Sequence, residues 1–251
     1  MTGRVSLVAH RGQPLSFPEN SLEGFMHVLK SGAGYVETDV HITSDGIPVL
    51  SHDAHLLELT GKQIIIADHS FDQIKQIPAG YPERFGEKFK DSRIASLKEF
   101  SGLLKEWPDA TCFIELKSAS LDNFGMKAVD IMMQSLTEIR SQVVIISFDC
   151  EVVMYAKKHF DTPLGWIIPE WTEQNRLKAL ELKPRFLFVD TDICPQTPPE
   201  LWQGGWEWVV YTVNKSSEVD FYASLGIELI ETNRYSDLKK ESKIVDISHD
   251  F

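Results

Sequence analysis

Residues 35–53 read YVETDVHITSDGIPVLSHD, two short runs rich in β-forming residues on either side of an Asp-Gly pair. Asp45-Gly46 is a strong signal for a two-residue hairpin turn, so the second run is predicted to return antiparallel to the first. Counting outward from that turn places Asp39 opposite His52 on one face of the hairpin. The stretch therefore predicts a strand, a tight turn and a short antiparallel strand, with two titratable side chains facing each other.

Short apolar runs and amphipathic segments alternate along the rest of the chain. The runs with the composition of strands are Val5–Ala9, Tyr35–Val40, Thr111–Lys117, Val143–Ser147, Leu164–Ile168, Arg185–Val189, Glu207–Val213 and Ile227–Thr232, with Ile47–Ser51 completing the hairpin. The segments with the spacing of helices are Ser21–Lys30, Leu97–Glu106, Leu121–Glu138, Glu151–His159, Thr172–Leu182 and Ser216–Leu225. About eight strand–helix units are typical of a (β/α)₈ barrel, although an open doubly wound sheet has similar local patterns. We predict the α/β class, a (β/α)₈ TIM barrel with a β-hairpin after its second strand and a small insertion.

Residues from about 55 to 95 interrupt this alternation with Gly, Pro and many charged side chains. A segment of this length between regular elements predicts an insertion or a lid over one face of the barrel. A chain of 251 residues fits one large α/β domain or two small ones. One domain is the simpler arrangement, so residues 1–251 are predicted to form a single TIM-barrel domain.

The composition argues against several classes of partner. The formal charge of −12 disfavours nucleic acid and anionic membranes, which are bound mainly through clustered Lys and Arg, so no stable membrane association is expected. The 3 cysteines are far apart and lack metal-site spacing, which predicts neither a disulfide framework nor a zinc site. The sequence has no signal-peptide pattern and no apolar run of membrane-spanning length, so a cytoplasmic location is predicted.

Polar residues occupy the ends of three predicted strands, where the active sites of TIM barrels lie. These ends are His10-Arg11-Gly12, Glu37-Thr38-Asp39 and Glu115-Leu116-Lys117. Residues two apart on a strand project to the same side, so the three carboxylates and Lys117 are predicted to converge inside the barrel mouth. The alternative is a set of ordinary surface ion pairs, which are common at such positions.

Carboxylates held this close together raise one another's pKa unless a cation neutralises them. Oxygen ligands suit a hard cation such as Mg²⁺ or Ca²⁺, which makes Glu37, Asp39 and Glu115 candidate metal ligands. Beside them, His10 and His52 are candidates for acid/base catalysis, because the pKa of a histidine suits proton transfer near pH 7.

Other residues near the predicted mouth are candidates for substrate contacts. Arg11 and Lys117 are either surface cations or the local positive charge that an anionic substrate needs in a chain of charge −12. Phe148 and Trp166 lie near strand ends and, with Tyr211, are candidate lining residues of the pocket.

Short motifs that occur in order over most of the chain make the sequence resemble the glycerophosphodiester phosphodiesterases. They are H-R-G (His10–Gly12), P-E-N-S (Pro18–Ser21), E-x-D (Glu37–Asp39), T-x-D-G (Thr43–Gly46), H-D (His52–Asp53), E-L-K (Glu115–Lys117), S-F-D (Ser147–Asp149) and Y-T-V-N (Tyr211–Asn214). Each motif alone is a weak signal, and their order makes the resemblance specific.

The resemblance implies a (β/α)₈ barrel that hydrolyses glycerophosphodiesters, a class of small-molecule substrate, to sn-glycerol 3-phosphate and an alcohol with one divalent cation, Mg²⁺ or Ca²⁺. The roles it implies are Glu37, Asp39 and Glu115 as metal ligands, His10 and His52 as the acid/base pair, and Arg11 and Lys117 as phosphate ligands. The attacking group is either the glycerol's own hydroxyl, through a cyclic phosphate, or a water molecule.

The sequence departs from the family pattern at a few positions. Glu58 stands where members often carry an Arg after the H-D motif, and Tyr211 stands where many carry Trp. The residues 232–235, Thr-Asn-Arg-Tyr, replace a frequent T-D-x-P, so the last loop is predicted to differ. None of these changes is expected to touch the metal or proton-transfer residues.

Three other functions are compatible with parts of this pattern. A lysophospholipase D-like phosphodiesterase would use the same site on a lipid-bearing diester, and an exposed apolar lid would favour it. A non-catalytic barrel that binds phosphodiesters or a partner protein would lack a ligand or a histidine, and all are present. An unrelated barrel isomerase or aldolase would make the ordered motifs a coincidence.

Overall fold

The computed structural model describes residues 5–197 and 200–242. Its strands are β1 Ser6–His10, β2 Tyr35–Ile42, β3 Pro48–Leu50, β4 Thr111–Leu116, β5 Val143–Ser147, β6 Leu164–Ile167, β7 Phe186–Asp190, β8 Glu207–Tyr211 and β9 Leu229–Thr232. All except β3 form a parallel ring in the order β1-β9-β8-β7-β6-β5-β4-β2, and the pairing of β1 with β2 closes it. β3 pairs antiparallel with β2 outside the ring. The predicted TIM barrel with a hairpin after its second strand is confirmed.

Helices surround this ring. They are α1 Leu22–Lys30, α2 Leu57–Thr60, α3 Phe71–Lys75, α4 Pro82–Phe85, α5 Leu97–Leu104, α6 Ala119–Phe124, α7 Lys127–Ser135, α8 Cys150–His159, α9 Glu173–Leu182, α10 Ser216–Ser224 and α11 Tyr235–Ser242, with 3₁₀ turns at Ile66–Asp68 and Thr137–Gln142. The single helix predicted over Leu121–Glu138 is divided, because Gly125 adopts a φ of 54° after α6 and ends that helix. In the described part of the chain, no helix is both long and apolar enough to cross a membrane.

The barrel packs two apolar layers on opposite faces of its strands. The larger layer lies between the ring and the helices. The smaller one fills the inside of the ring, where Phe113 meets the rings of Phe186 and Phe188 edge-on at centroid distances of 5.0 and 5.1 Å. Because this inner layer plugs the barrel, polar side chains are restricted to its two ends.

The hairpin register differs from the sequence prediction by one residue. Thr43, not Ser44, faces Ile47, because its N–H donates to the Ile47 carbonyl at 3.0 Å and its hydroxyl donates to Asp45 Oδ1 at 2.5 Å. Gly46 takes a φ of 80°, which completes a three-residue loop instead of a two-residue turn. Asp39 consequently faces Ser51, whose N–H donates to its carbonyl at 3.1 Å, and the predicted pairing of Asp39 with His52 is wrong.

The segment from 55 to 95 forms short helices with a small apolar core of its own. That core consists of Val49, Leu56, Leu59, Ile64, Ile66, Ile74, Ala79 and Ile94. It reaches the barrel through Val49 on β3, so the segment packs against the hairpin rather than extending the ring of helices.

We expect Gly165→Ala to destabilise the protein, because a Cβ at that position would lie 2.8 Å from Ile146 Cγ2 and 3.0 Å from Phe188 Cε2 inside the barrel. Overpacking of this kind costs about 1–3 kcal/mol in the free energy of unfolding, measured by urea denaturation. Gly102→Ala is the matched control, since no atom lies within 4 Å of its added Cβ. Gly102 lies within α5, so that change is expected to be neutral or stabilising by up to about 1 kcal/mol. Equal unfolding energies for the two variants would contradict the packing described for the barrel interior.

Candidate active site

The carboxyl ends of the ring strands surround one cavity of about 250 Å³. The residues that line it are His10, Arg11, Glu37, His52, Glu115, Lys117, Ile146, Phe148, Ile167, Phe188, Asp190, Tyr211, Thr212 and Glu231. They come from the eight ring strands and the turns that follow them, except His52, which follows β3. The strand-end residues therefore converge at the barrel mouth, as the sequence predicted.

Three buried carboxyl groups meet beside this cavity. Glu37, Asp39 and Glu115 each offer an oxygen, and these oxygens all lie within 4.8 Å of one another. Their side chains are on adjacent strands in register, since Asp39 on β2 pairs with Glu115 on β4. The residues are 3%, 1% and 8% exposed, which excludes ordinary surface ion pairs as the explanation.

Two cations hold Asp39 in its charged form. Lys117 Nζ lies 2.9 Å from Asp39 Oδ1, and Arg11 Nε lies 2.9 Å from Asp39 Oδ2. Burial would raise the pKa of Asp39, but Arg11 and Lys117 together hold it well below its usual range. Lys117 Nζ also donates to Glu115 Oε2 at 3.0 Å. Asp39 thus fixes both cations at the cavity wall.

The other two carboxyl groups lack comparable compensation. Burial and the negative charge of Asp39 raise the pKa of Glu115 to about 7, and the same two causes raise the pKa of Glu37 well above its usual value. The set offers only oxygen ligands, which are those that Mg²⁺ and Ca²⁺ prefer. A divalent cation bound here would offset the mutual repulsion, so the donor set fits such an ion.

A left-handed turn places Arg11 over the carboxylates. Arg11 has a φ of 49° and Gly12 a φ of 82°. A Cβ on Gly12 would also lie 3.0 Å from the backbone carbon of Gly24, so this position requires glycine. Asn20 fixes the turn, since its N–H donates to the Arg11 carbonyl at 3.0 Å and its Nδ2 donates to Asp39 Oδ2 at 3.1 Å. The H-R-G and P-E-N-S motifs are thus in contact.

His10 faces the cavity at the end of β1. Its Nδ1 lies 2.6 Å from Asn233 Oδ1, and because that oxygen only accepts, Nδ1 carries the proton. Its Nε2 lies 3.4 Å from Glu231 Oε1 and 3.8 Å from Glu37 Oε2. Burial and the charge of Arg11 lower the pKa of His10 to about 3, so the ring is neutral at pH 7 and Nε2 is its basic atom.

His52 reaches the same cavity from just beyond the hairpin. Its Nδ1 lies 3.0 Å from Asp53 Oδ1, and its carbonyl accepts from His41 Nε2 at 3.0 Å. Burial lowers the pKa of His52. Although the hairpin register is shifted, β3 ends at Leu50, so His52 leaves the ladder and turns towards the barrel mouth.

Two of the three candidate lining residues are in the cavity wall. Phe148 and Tyr211 line it, with Ile146, Ile167 and Phe188 forming an apolar side. The prediction for Trp166 is wrong: its side chain lies in the layer between ring and helices, and its Nε1 donates to the Phe148 carbonyl at 3.1 Å. On β6, Gly165 faces the inside of the ring, so Trp166 must face outward.

Sequence reasoning missed several site residues. Glu231 lies at the end of β9, where the strand-end rule would have found it, and burial is the main cause that raises its pKa to about 8. Asn233 belongs to the loop 232–235, whose sequence differs from the family pattern. That difference was expected not to affect the proton-transfer residues, and the contact of Asn233 with His10 shows that this expectation is wrong. Asp190 at the end of β7 also lines the cavity and was not predicted.

The chain is similar to known proteins over most of its length. Residues 10–236 match the Glycerophosphoryl diester phosphodiesterase family. A glycerophosphodiester phosphodiesterase of Caldanaerobacter subterraneus subsp. tengcongensis is 28% identical over 236 residues, which cover 92% of this chain and 94% of that protein. The mouse protein glycerophosphodiester phosphodiesterase 1 is 40% identical over 268 residues, which cover 93% of this chain and 80% of the mouse protein. A solved structure of an Oleispira antarctica phosphodiesterase in complex with the product sn-glycerol-3-phosphate has a TM-score of 0.84 and 21% identity, covering 94% of this chain and 95% of that one.

We expect Mn²⁺, used as a probe for a hard divalent site, to raise the melting temperature of the protein. An ion at 100 times its dissociation constant stabilises the folded state by about 2.7 kcal/mol. Glu37→Gln should shift the ion concentration needed by at least about tenfold, because it removes one anionic ligand while keeping an oxygen that can accept from the Arg11 N–H. Glu106→Gln, on the exposed loop before β4, is the control. Identical Mn²⁺ titrations for wild type and Glu37→Gln would exclude this carboxylate cluster as the ion site.

Proposed function

The chain belongs to the glycerophosphoryl diester phosphodiesterase family and is an enzyme of that class, and from this premise we propose that it hydrolyses glycerophosphodiesters to sn-glycerol 3-phosphate and an alcohol with one bound divalent cation. The observation that carries the proposal is the cavity at the barrel mouth. There, buried carboxyl groups, the cations Arg11 and Lys117 and the histidines His10 and His52 lie around one cavity. Each of these groups has a part in the cleavage of an anionic diester.

Arg11 and Lys117 would bind the substrate phosphate. Both are fixed by Asp39, so they are oriented before the substrate arrives. Arg11 Nε is buried and has no hydrogen-bond partner in the described residues, although it lies 2.9 Å from Asp39 Oδ2. Arg11 and Lys117 both line the cavity, so a phosphate held there would lie beside their positive charge. Positive charge at this place stabilises the negative charge that builds on the phosphate in the transition state.

Glu37, Asp39 and Glu115 would hold the divalent cation, Mg²⁺ or Ca²⁺. When bound, such an ion supplies charge neutralisation and orients the phosphate. The same acidic residues repel a phosphate if no cation lies between them and the substrate. This repulsion supports a strict requirement for the ion.

His10 and His52 would transfer the two protons of the reaction. A bond forms between phosphorus and the attacking oxygen, which is either the glycerol's own hydroxyl or a water molecule, and the bond to the leaving alcohol breaks. In the first case a water molecule must then open the cyclic phosphate to give sn-glycerol 3-phosphate. One histidine takes the proton from the attacking oxygen, and the other donates a proton to the leaving oxygen. Both rings line the cavity. Burial lowers the pKa of each ring, which favours the neutral imidazole that the base requires, and the histidine that acts as the acid must take up a second proton before it donates to the leaving oxygen.

A second candidate substrate is a lysophospholipid, cleaved at the same site. Two large apolar side chains of the 55–95 segment, Leu57 and Ile65, are 43% and 46% exposed, as an apolar lid would require. Location in the cytoplasm and the absence of stable membrane or nucleic-acid association stay predictions from the sequence.

The proposed activity is tested by following glycerophosphocholine with ³¹P NMR, in the presence of Mg²⁺, Ca²⁺ or Mn²⁺ after removal of metals with EDTA. We expect sn-glycerol 3-phosphate as the phosphorus product, and a loss of turnover of about 10²–10⁴-fold for His10→Gln and for His52→Gln. His159→Gln, at the end of α8 away from the cavity, is the matched control. Phosphocholine as the product, or near wild-type turnover in both active-site variants, would refute the proposed chemistry.

Asn233 is predicted to position His10 through the 2.6 Å contact at Nδ1. Its own loop is fixed by Asn214, whose Oδ1 accepts from the Asn233 N–H at 2.9 Å. Asn233→Leu should lower kcat about tenfold or more with little change in KM, because substrate binding does not require the tautomer that the Asn233 carbonyl selects. Asn233→Asp keeps an acceptor oxygen and should restore most of kcat. Equal losses in both variants would show that the residue has only a structural role.

A further inference from the structure

A second cavity, of about 360 Å³, adjoins the one at the barrel mouth. Its wall includes His52, Asp53, Glu115, Lys117, Phe148 and Asp149. Of these residues, His52, Glu115, Lys117 and Phe148 also line the first cavity. The wall between the two cavities therefore contains one proposed phosphate ligand and one proposed proton-transfer residue.

This arrangement matches the shape of a phosphodiester, in which a central phosphate carries an alcohol on either side. A phosphate bound beside Lys117 and His52 would have one cavity on either side for its two alcohols. The first cavity has the apolar wall of Ile146, Ile167 and Phe188, and its walls are strand ends of the ring. The second is enclosed by three turns after β3, β4 and β5, and its residues Ser118 and Phe148 are exposed. The glycerol half is common to all substrates and suits the first cavity, whereas the variable alcohol suits the second.

Apart from the residues that it shares with the first cavity, the second cavity carries negative charge. Lys117 and Glu115 are paired with each other at 3.0 Å. His41 Nε2 donates to the His52 carbonyl at 3.0 Å, and His52 Nδ1 lies 3.0 Å from Asp53 Oδ1, so both rings already have hydrogen-bond partners. The remaining charged groups that line it are Asp53 and Asp149. Each has one oxygen in a local hydrogen bond, to His52 Nδ1 and to the Glu151 N–H respectively.

We propose that this second cavity receives the leaving alcohol and selects alcohols that carry a positive charge, such as choline and ethanolamine, over neutral alcohols such as glycerol. The inference rests on the proposed phosphodiesterase activity and adds the substrate class to it. Asp53 and Asp149 supply the attraction for an ammonium group. Phe148, 44% exposed, supplies an aromatic surface next to them, which favours quaternary ammonium groups.

The test is an internal competition between glycerophosphocholine and glycerophosphoglycerol in one reaction, with the ratio of the two kcat/KM values followed by ³¹P NMR. A ratio from one tube does not depend on the fraction of folded enzyme. Asp53→Asn and Asp149→Asn keep the local hydrogen-bond acceptors, including the N-cap of α8, and remove only charge. Asp109→Asn, before β4 at the opposite end of the barrel, makes the same change in charge as a control.

We expect wild type and the control to favour glycerophosphocholine, and the double variant to reduce that ratio by about threefold to tenfold at low salt, the range for half-exposed charges close to a ligand. The wild-type ratio should also fall as salt is added, because ions screen exposed carboxylates. A ratio that is unchanged in the double variant, or equal losses on both substrates, overturns the inference while the diesterase activity stands. If the wild-type protein cleaves neither of these two substrates and no other glycerophosphodiester, the proposed function itself is refuted.

Discussion

The burial of Asp39 between Arg11 and Lys117 is the constraint on which the rest of the site depends. A carboxylate that is 1% exposed must keep its charge through partners, and its two oxygens each lie 2.9 Å from a cation. Removing Asp39 would leave Lys117 with Glu115 and Arg11 with Glu19 as carboxylate partners, and both cations would lose the group that fixes them side by side. Three more buried carboxyl groups, those of Glu37, Glu115 and Glu231, lie near Asp39 in the described part of the chain. Their pKa values are raised, and a divalent ion would favour their charged forms.

The barrel strands place the site residues at one rim, and the short turns after the strands orient their side chains. Parallel strands that all end at one rim bring side chains far apart in sequence to one cavity, which is why His10 and Asn233, separated by 223 residues, can lie 2.6 Å apart. The turn at Arg11 and Gly12 then directs a guanidinium back over the rim, with Asn20 holding it in place. A rigid inner layer of aromatic and branched side chains prevents this rim from relaxing around its own charges.

The sequence predicted the fold and the central residues because both follow from local rules. Strand–helix alternation predicted the ring, and the spacing of two between Glu37 and Asp39 placed both on one face. The hairpin register was missed because the hydroxyl of Thr43 extends the turn by one residue, which the Asp-Gly signal alone does not reveal. Trp166 was misplaced because the side of a strand that faces inward depends on its pairing with neighbours. Glu231 and Asn233 join the site through contacts across the whole chain, and motif reading gave them no role.

Anomalous diffraction from crystals grown with Mn²⁺ and sn-glycerol 3-phosphate tests most directly whether one carboxylate cluster holds the ion and its neighbouring cations hold the phosphate. We predict an Mn²⁺ peak about 2.0–2.6 Å from oxygens of Glu37, Asp39 and Glu115, with the phosphate in contact with that ion, Arg11 and Lys117. An ion bound elsewhere on the barrel, or a phosphate outside the cavity at its mouth, would contradict the assignment of this cavity as the active site.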